Sequence, residues 1–541
     1  MPDRQTPVSD LLTRRDVIRY GVTGGVTLAT AGALAACGGG GPVSAATTAP
    51  SSGPPKRGGV LQVGLISGGG TETVDPWKAY ATNDYARVIN LYDTLFAYND
   101  DLTVSPALAE SAEPNGDYTQ WTFRLRDGVT FHDGSTLTAD DVIYNFREWV
   151  NPNAIFFTQV GFQIDPKQIT KVDERTVRVG LLQANARLDH ALAFLWGSIK
   201  SRHEKKGGPP IGTGPFKYVS FKPGSRSVFD AFPNYWRTGQ PYLNQLILNS
   251  SFTDENAVVN ALRSGAIDVL PLAPFTLAAS LQGGTTTLLR SPSGAFSVNL
   301  YMRVDVPPFD DVRVRQAMRL LVDRKQMVEI VYGGYGEVSN DVPGQNTPLW
   351  NPALTRERDV EQARALLKQA GMANPAVTLQ TSTALTGLEQ AATLFKQQAL
   401  DAGVRVNIAQ VDPAVYFGAP PSGLYTVMHF AETAYYPVPS MEFVWTASFQ
   451  PKSYPNETRF YNAPGYGKMV SLLQQARATA DEGKLQDIWN ELQLQQFDDG
   501  GYINFGVNDL VDALSTRVKG LTPSKYLNAS GFNFRKAWLA T

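Results

Sequence analysis

Cys37 is the one thiol among 541 residues, and it closes an apolar run at Leu34-Ala35-Ala36-Cys37. A thiol is the nucleophile that becomes a thioether to diacylglycerol, and small residues ahead of it admit a signal peptidase to the preceding bond. Thr13-Arg14-Arg15-Asp16-Val17-Ile18 stands upstream in the pattern of a twin-arginine export signal, and residues 17–36 are rich in Gly and Ala. This order implies export, cleavage before Cys37 and lipid attachment at the new N-terminus. A membrane-spanning helix fits the stretch less well, because Gly21, Gly24, Gly25 and Gly32 interrupt it and no basic stop-transfer flank follows. With one cysteine, no disulfide supports the exported body.

The remaining reactive residue types are sparse. Of four histidines, His132 lies in the tight turn Phe131-His132-Asp133-Gly134, where a structural hydrogen bond is its expected role. His190 and His203 lack companions at metal-ligand spacing, and His429 falls on a strand expected over 425–431. Gly212-Thr213-Gly214 is followed at once by Pro215 and a strand-like 216–219, with no third glycine, so it is not a dinucleotide loop. No nucleophile elbow, HExxH or paired-cysteine motif occurs, and neither catalysis, a metal nor a cofactor is expected. A net charge of -2 leaves no basic stripe for nucleic acid.

The elements that must position such residues are mixed. After a Gly/Pro/Ser/Thr-rich tether, the chain from Gly58 has room for about three domains at ~150 residues each. Val60–Ile66 alternates as a half-buried strand, 121–125 does the same, and Asp140 opens a helix expected over 139–150. Asp310 or Asp311 caps a helix whose Val314, Ala317, Met318, Leu321 and Val322 share one face. Strand 377–380, helix 388–402 ending at Gly403 and strand 404–411 form a βαβ-type unit. Leu485, Ile488, Trp489 and Leu492 mark a late amphipathic helix, followed by a strand over 502–507.

Longer motifs are more specific. Trp121-Thr122-Phe123-Arg124-Leu125-Arg126-Asp127-Gly128-Val129-Thr130-Phe131-His132-Asp133-Gly134 runs on to Leu137-Thr138-Ala139-Asp140-Asp141-Val142. Asn90-Leu91-Tyr92-Asp93-Thr94-Leu95-Phe96 precedes it, while Gly212-Thr213-Gly214-Pro215-Phe216-Lys217, Asn234-Tyr235-Trp236-Arg237 and Arg313-Val314-Arg315-Gln316-Ala317 follow in order. Through these motifs the chain resembles the extracellular solute-binding protein family 5 of ABC importers, over nearly all of its exported part. The resemblance implies an α/β, periplasmic-binding-protein type II-like fold: two lobes with a hinge, plus an extra inserted domain. The implied division is signal peptide 1–36, tether 37–57, lobe I over 58–96, 210–300 and 507–541, inserted domain II over 97–209, and lobe III over 301–506.

The implied function is capture of a small solute, peptide or peptide-like and amine-bearing, between the lobes. Delivery would be to an ABC permease and its ATPase subunits, by a monomer tethered through Cys37 to the outer face of the cytoplasmic membrane or within the periplasm. Oligosaccharide binding, or an envelope signalling receptor or enzyme without a permease, are the alternatives. On lobe I, the loop holding Gly69, Thr71 and Glu72 corresponds to one that hydrogen-bonds ligand backbone in the family's peptide binders. Asn340 and Asp341 resemble an Asn-Asp loop of one subset. His429 and Phe430 lie on the expected cleft strand, and Glu432 is the one acid near the place where peptide binders hold the ligand amine, displaced by a few positions. Glu432 either takes that role or the amine is not recognised. Tyr435, Tyr436 and Trp445 offer aromatic surface for sugar rings or varied side chains.

Overall fold

The computed structural model describes residues 53–67, 69–79, 81–292, 297–382, 387–412, 416, 428–435, 440, 442, 445 and 457–540. Cys37 and the export signal therefore lie outside the described residues. Among these residues, three large sheets each gather a hydrophobic core of their own.

The first sheet has seven strands in the order Thr286–Ser291, Leu510–Ser515, Val269–Leu270, Val60–Ile66, Gln245–Phe252, Arg226–Ala231 and Phe216–Lys222. Val60–Ile66 sits at its centre between two parallel neighbours. The expected half-buried alternation forms there, with Leu61, Val63 and Leu65 buried, and departs from it only at Gly64, which is buried because helix Glu255–Arg263 packs against that position. A Cβ on Gly64 would come within 2.3 Å of Ile267 and 2.9 Å of Val258, so glycine is required by packing.

The second sheet has five strands: Arg405–Gln410, Ala376–Thr381, Phe430–Tyr435, Ser297–Met302 and Tyr502–Ile503. Its βαβ unit forms as expected, with Ala376–Thr381 parallel to Arg405–Gln410 across helix Leu388–Leu400. Asp311 caps helix Val312–Leu320 through its side chain. Two arginines of that helix are structural. Arg315 and Arg319 donate to carbonyls of Phe497, Asp499, Gly500 and Tyr502, closing the C-terminal end of helix Glu482–Asp499. Burial pulls the Arg319 guanidinium down to about 9. The expected strand over 502–507 is divided instead. Tyr502–Ile503 pairs in the five-stranded sheet, whereas Gly506–Asn508 pairs with Gly336–Val338, since the chain is here leaving one sheet for the other.

The third sheet, Ala109–Pro114, Gln120–Leu125, Thr176–Leu181 and Ile164–Asp173, is wholly antiparallel and lies in sequence between two strands of the first. Helix Ala139–Trp149 packs on it, and the rings of Phe123, Phe146, Trp149 and Phe156 follow one another at 5.8, 4.9 and 5.2 Å. The longest sequence motif is thus the core of this inserted unit. His132 pins it to the first sheet: its backbone N–H donates to Gly212 O at 2.9 Å and its Nε2 stands 3.0 Å from Gly214 O. Burial holds this imidazole down near 4, hence neutral and able to donate from Nε2, the structural role read from the sequence. Gly212 and Gly214 pack on the Leu91–Tyr92 backbone, where a Cβ on Gly214 would sit 2.5 Å from Leu91 C.

Candidate functional site

The chain crosses from the seven-stranded to the five-stranded sheet between Ser291 and Ser297, and returns between Ile503 and Leu510. Arg290, in the strand Thr286–Ser291 that leads into one crossing, is ion-paired with Asp509, on the other. The Arg290 guanidinium also lies 5.4 Å from the Tyr335 ring, which stacks on Phe275 at 5.8 Å. Burial raises the Asp509 acid, and Arg290 works against that rise. Two adjacent crossings between separately cored units form the geometry of a hinge.

Away from these crossings, contacts bridge the units. Ala186 N–H donates to Arg477 O at 2.7 Å, the Arg477 guanidinium lies 5.3 Å from the Phe162 ring, and Arg187 reaches Glu482 at 3.4 Å. Lys525 Nζ lies 3.4 Å from Asn346 O. The inserted unit therefore grips the five-stranded unit directly.

The residues expected to bind a solute fall into distinct classes. Glu72 is buried and serves as a structural hub, in place of a ligand contact. Its carboxylate pairs with Arg87 at 2.6 Å and accepts from Ser250 Oγ at 2.8 Å, Gly224 N at 3.0 Å and Asn83 Nδ2 at 3.1 Å. Those bonds tie the loop after Val60–Ile66 to helix Thr82–Leu91. Gly69 and Thr71, in a short 3-10 turn, stay half-exposed. Asp341 is likewise consumed: Arg324 binds both its oxygens at 2.8 Å and Arg356 one at 2.7 Å. Asn340 accepts from Arg356 N at 2.8 Å, so the Asn-Asp pair stabilises a loop.

Glu432 is fully buried. Thr381 Oγ1 donates to its Oε2 at 2.5 Å, and among the described residues no cation pairs with it. Burial raises this carboxyl well above its ordinary range, with only Thr381 and a backbone N–H of helix Leu388–Leu400 opposing. A carboxyl sealed under a helix, out of reach of the cleft, does not receive a ligand amine. Phe430 packs between Phe309 and Phe395 at 5.2 and 5.6 Å, and Trp445 meets Trp489 edge-on at 5.7 Å, so both are core residues. His429 is exposed and precedes the described strand Phe430–Tyr435, in place of lying within it. Burial and then Arg303 lower its imidazole. Tyr435 ends that strand; Tyr436 lies outside the described residues.

Comparison with known proteins decides the family. The sequence model for bacterial extracellular solute-binding proteins, family 5 Middle, matches residues 103–454. The chain belongs to that family. Heme-binding protein A of Haemophilus influenzae is 30% identical over 313 residues, covering 52% of this chain and 57% of that protein. The dipeptide-binding protein of Escherichia coli is 27% identical over 478 residues, 80% of this chain and 87% of the relative. Among solved structures, the binding protein AgaA of A. tumefaciens in complex with agropinic acid superposes with a TM-score of 0.73 at 24% identity, covering 89% of this chain and 99% of that one. The fold is accordingly the family's α/β, periplasmic-binding-protein type II arrangement.

Within this family member, the polar groups nearest the half-exposed loop of lobe I went unnoticed in the sequence. Just beyond Thr71, Lys200 sits between Asp75 at 3.1 Å and Glu204 at 2.7 Å, with its Nζ 4.3 Å from the centre of the Trp77 ring. Burial works against its charge, but the two acids outweigh burial and raise the ammonium. Tyr144 continues the stack at 5.9 Å from Trp77. The signal available was Asp75-Pro76-Trp77, an Asx cap and an aromatic directly after a glycine-rich loop.

Proposed function

We propose that this chain is the solute receptor of an ABC importer, lipid-anchored at Cys37, that encloses a peptide or peptide-like solute between lobe I and lobe III and presents it to a permease with its ATPase subunits. In this reading lobe I comprises residues 58–96, 210–300 and 507–541, lobe III residues 301–506, and residues 97–209 are the inserted domain. The chain acts by binding and has no catalytic step.

The observation that carries the reading is the pair of adjacent crossings, bridged by Arg290 and Asp509, between two units that each have their own core. Such units rotate about the crossings, and a solute that touches both stabilises the closed form. Parallel strands end at Ile66 in one lobe and at Thr381 and Gln410 in the other, and ligands of open α/β sheets bind outside such carboxyl ends. A dipeptide-binding relative covered over 87% of its length supports a peptide solute. With Glu72 and Glu432 locked inside, recognition rests on hydrogen bonds to peptide backbone from loops such as Gly69–Thr71, much as an added strand is recognised.

Mass spectrometry of small molecules released from the purified full-length protein tests this directly. Peptides are expected. Hexose ladders, or release of a chemically changed compound on incubation, would overturn the assignment.

A further inference from the structure

A second pocket stands apart from the hinge, where lobe I joins the inserted unit. It is a cavity of about 170 Å³ walled by residues from four stretches of chain, among them Asp93, Asp100, Arg237, Asn533, Arg535 and Lys536. Arg237 and Arg535 are its unusual feature. Among the described residues neither makes an ion pair, and the buried Nε of each lacks a hydrogen-bond acceptor. Arg237 rests on the Trp236 ring, 4.1 Å from its centre, which steers the guanidinium without neutralising it.

The acids at the wall do not complete these arginines. The Asp93 carboxylate is already taken by Trp236 Nε1 at 2.9 Å and by Tyr235 Oη and Thr213 Oγ1 at 3.1 Å each. Asp100 accepts from Thr522 Oγ1 at 3.0 Å. Three cationic side chains thus face two engaged carboxylates, in a protein whose net charge is -2. Burial pulls the Arg535 guanidinium below its usual range, and Arg535 and Arg237 both act electrostatically on Asp93. A desolvated guanidinium with no hydrogen-bonded acid partner is costly, and an oxyanion is its natural complement because two N–H groups match two oxygens.

Asn533 narrows the choice. Its buried Oδ1 also lacks a partner, and it needs a donor. A carboxylate supplies acceptors alone, whereas hydrogen phosphate supplies acceptors and an O–H. The wall itself is held in a strained shape: Ala529, Ser530, Gly531 and Phe532 run at φ of 48, 61, 69 and 54°. Asp512 fixes this left-handed run by accepting from Asn528 Nδ2 at 2.8 Å and Ala529 N at 2.7 Å, and Asn90 Nδ2 donates to Phe532 O at 2.8 Å.

We propose that this cavity is a second, oxyanion-binding site that takes hydrogen phosphate or a small phosphomonoester between Arg237, Arg535 and Asn533. It is separate from the interlobe solute site. Isothermal titration of inorganic phosphate into the full chain at fixed ionic strength, with acetate and chloride as comparators, tests it. Saturable 1:1 phosphate binding is expected, weaker by roughly tenfold or more in Arg535→Gln and in Arg237→Gln, the change for loss of one charged contact. Should either variant lose its native circular dichroism, Lys536→Glu at the exposed rim provides the same reading with a smaller loss. Absence of saturable phosphate binding, equal affinity in the variants, or acetate binding as tightly as phosphate would each overturn the proposal.

Discussion

Replacing Glu432 by glutamine separates a buried acid from a ligand anchor. Glu432 has an ordinary value of 4.5 in the unfolded chain, and burial raises it well above that in the folded one. Above pH 4.5 the unfolded state therefore releases a proton that the folded state keeps, so the folded state binds more protons and wild-type stability falls with rising pH. Each pH unit between the unfolded and the folded value costs about 1.4 kcal/mol. Across that window the wild type loses stability through this one group, while Glu432→Gln does not. Glutamine keeps a buried polar atom where Oε1 now lacks a donor, and its amide N–H groups need acceptors there, a cost of about 1 to 3 kcal/mol that does not change with pH. The difference in urea stability between variant and wild type, followed by tryptophan fluorescence, should then move in favour of the variant by about 1.4 kcal/mol per pH unit, with every other titrating group cancelling. Solute affinity should be unchanged. A pH-independent difference, or loss of solute binding with stability intact, would refute the placement of this carboxyl inside the sheet.

Breaking the buried pairs should be costly and local. Glu72→Gln leaves Arg87 without its closest partner and is expected to cost about 3 to 5 kcal/mol, read by calorimetry as a drop in the unfolding transition of lobe I. Asp341→Asn strands Arg324 and Arg356 and should cost a similar amount in lobe III, and the two effects should add because the sites share no partner. Gly214→Ala drives a Cβ into the Leu91 backbone and should lower stability by about 1 to 3 kcal/mol or more, loosening the inserted unit in hydrogen exchange. Arg477→Ala removes the guanidinium that lies 5.3 Å from the Phe162 ring of the inserted unit, at the contact with lobe III; solute affinity should fall severalfold with a larger radius of gyration, whereas unchanged affinity would place that contact outside the closing motion.

The legible and illegible parts of this protein divide along a physical line. Elements whose period is set by one packed face, such as helix Val312–Leu320 and the βαβ unit around Leu388–Leu400, formed where the apolar spacing placed them. The same reasoning failed at 502–507 and missed the burial of Gly64 within Val60–Ile66, because a crossing between sheets and a covering helix are set by partners distant in sequence. Charged residues show the divide most sharply. Glu72, Asp341 and Glu432 have the side chains a peptide receptor would use, and each lies near a loop or strand end that such receptors use. What decides their role is whether a guanidinium or a helix arrives from elsewhere to cover them: Arg87 stands 15 positions from Glu72, Arg324 stands 17 from Asp341, and Thr381 stands 51 from Glu432. Acids answered in this way are part of the internal scaffold of each unit. On the proposed function, recognition falls to groups that the fold leaves half-exposed: the backbone of Gly69–Thr71 and the Trp77 ring, with the Tyr144 ring of the inserted unit beside them. A receptor that relies on backbone hydrogen bonds and ring faces accepts a class of solutes that share a main chain, and it discriminates by fit within the closed cleft more than by charge.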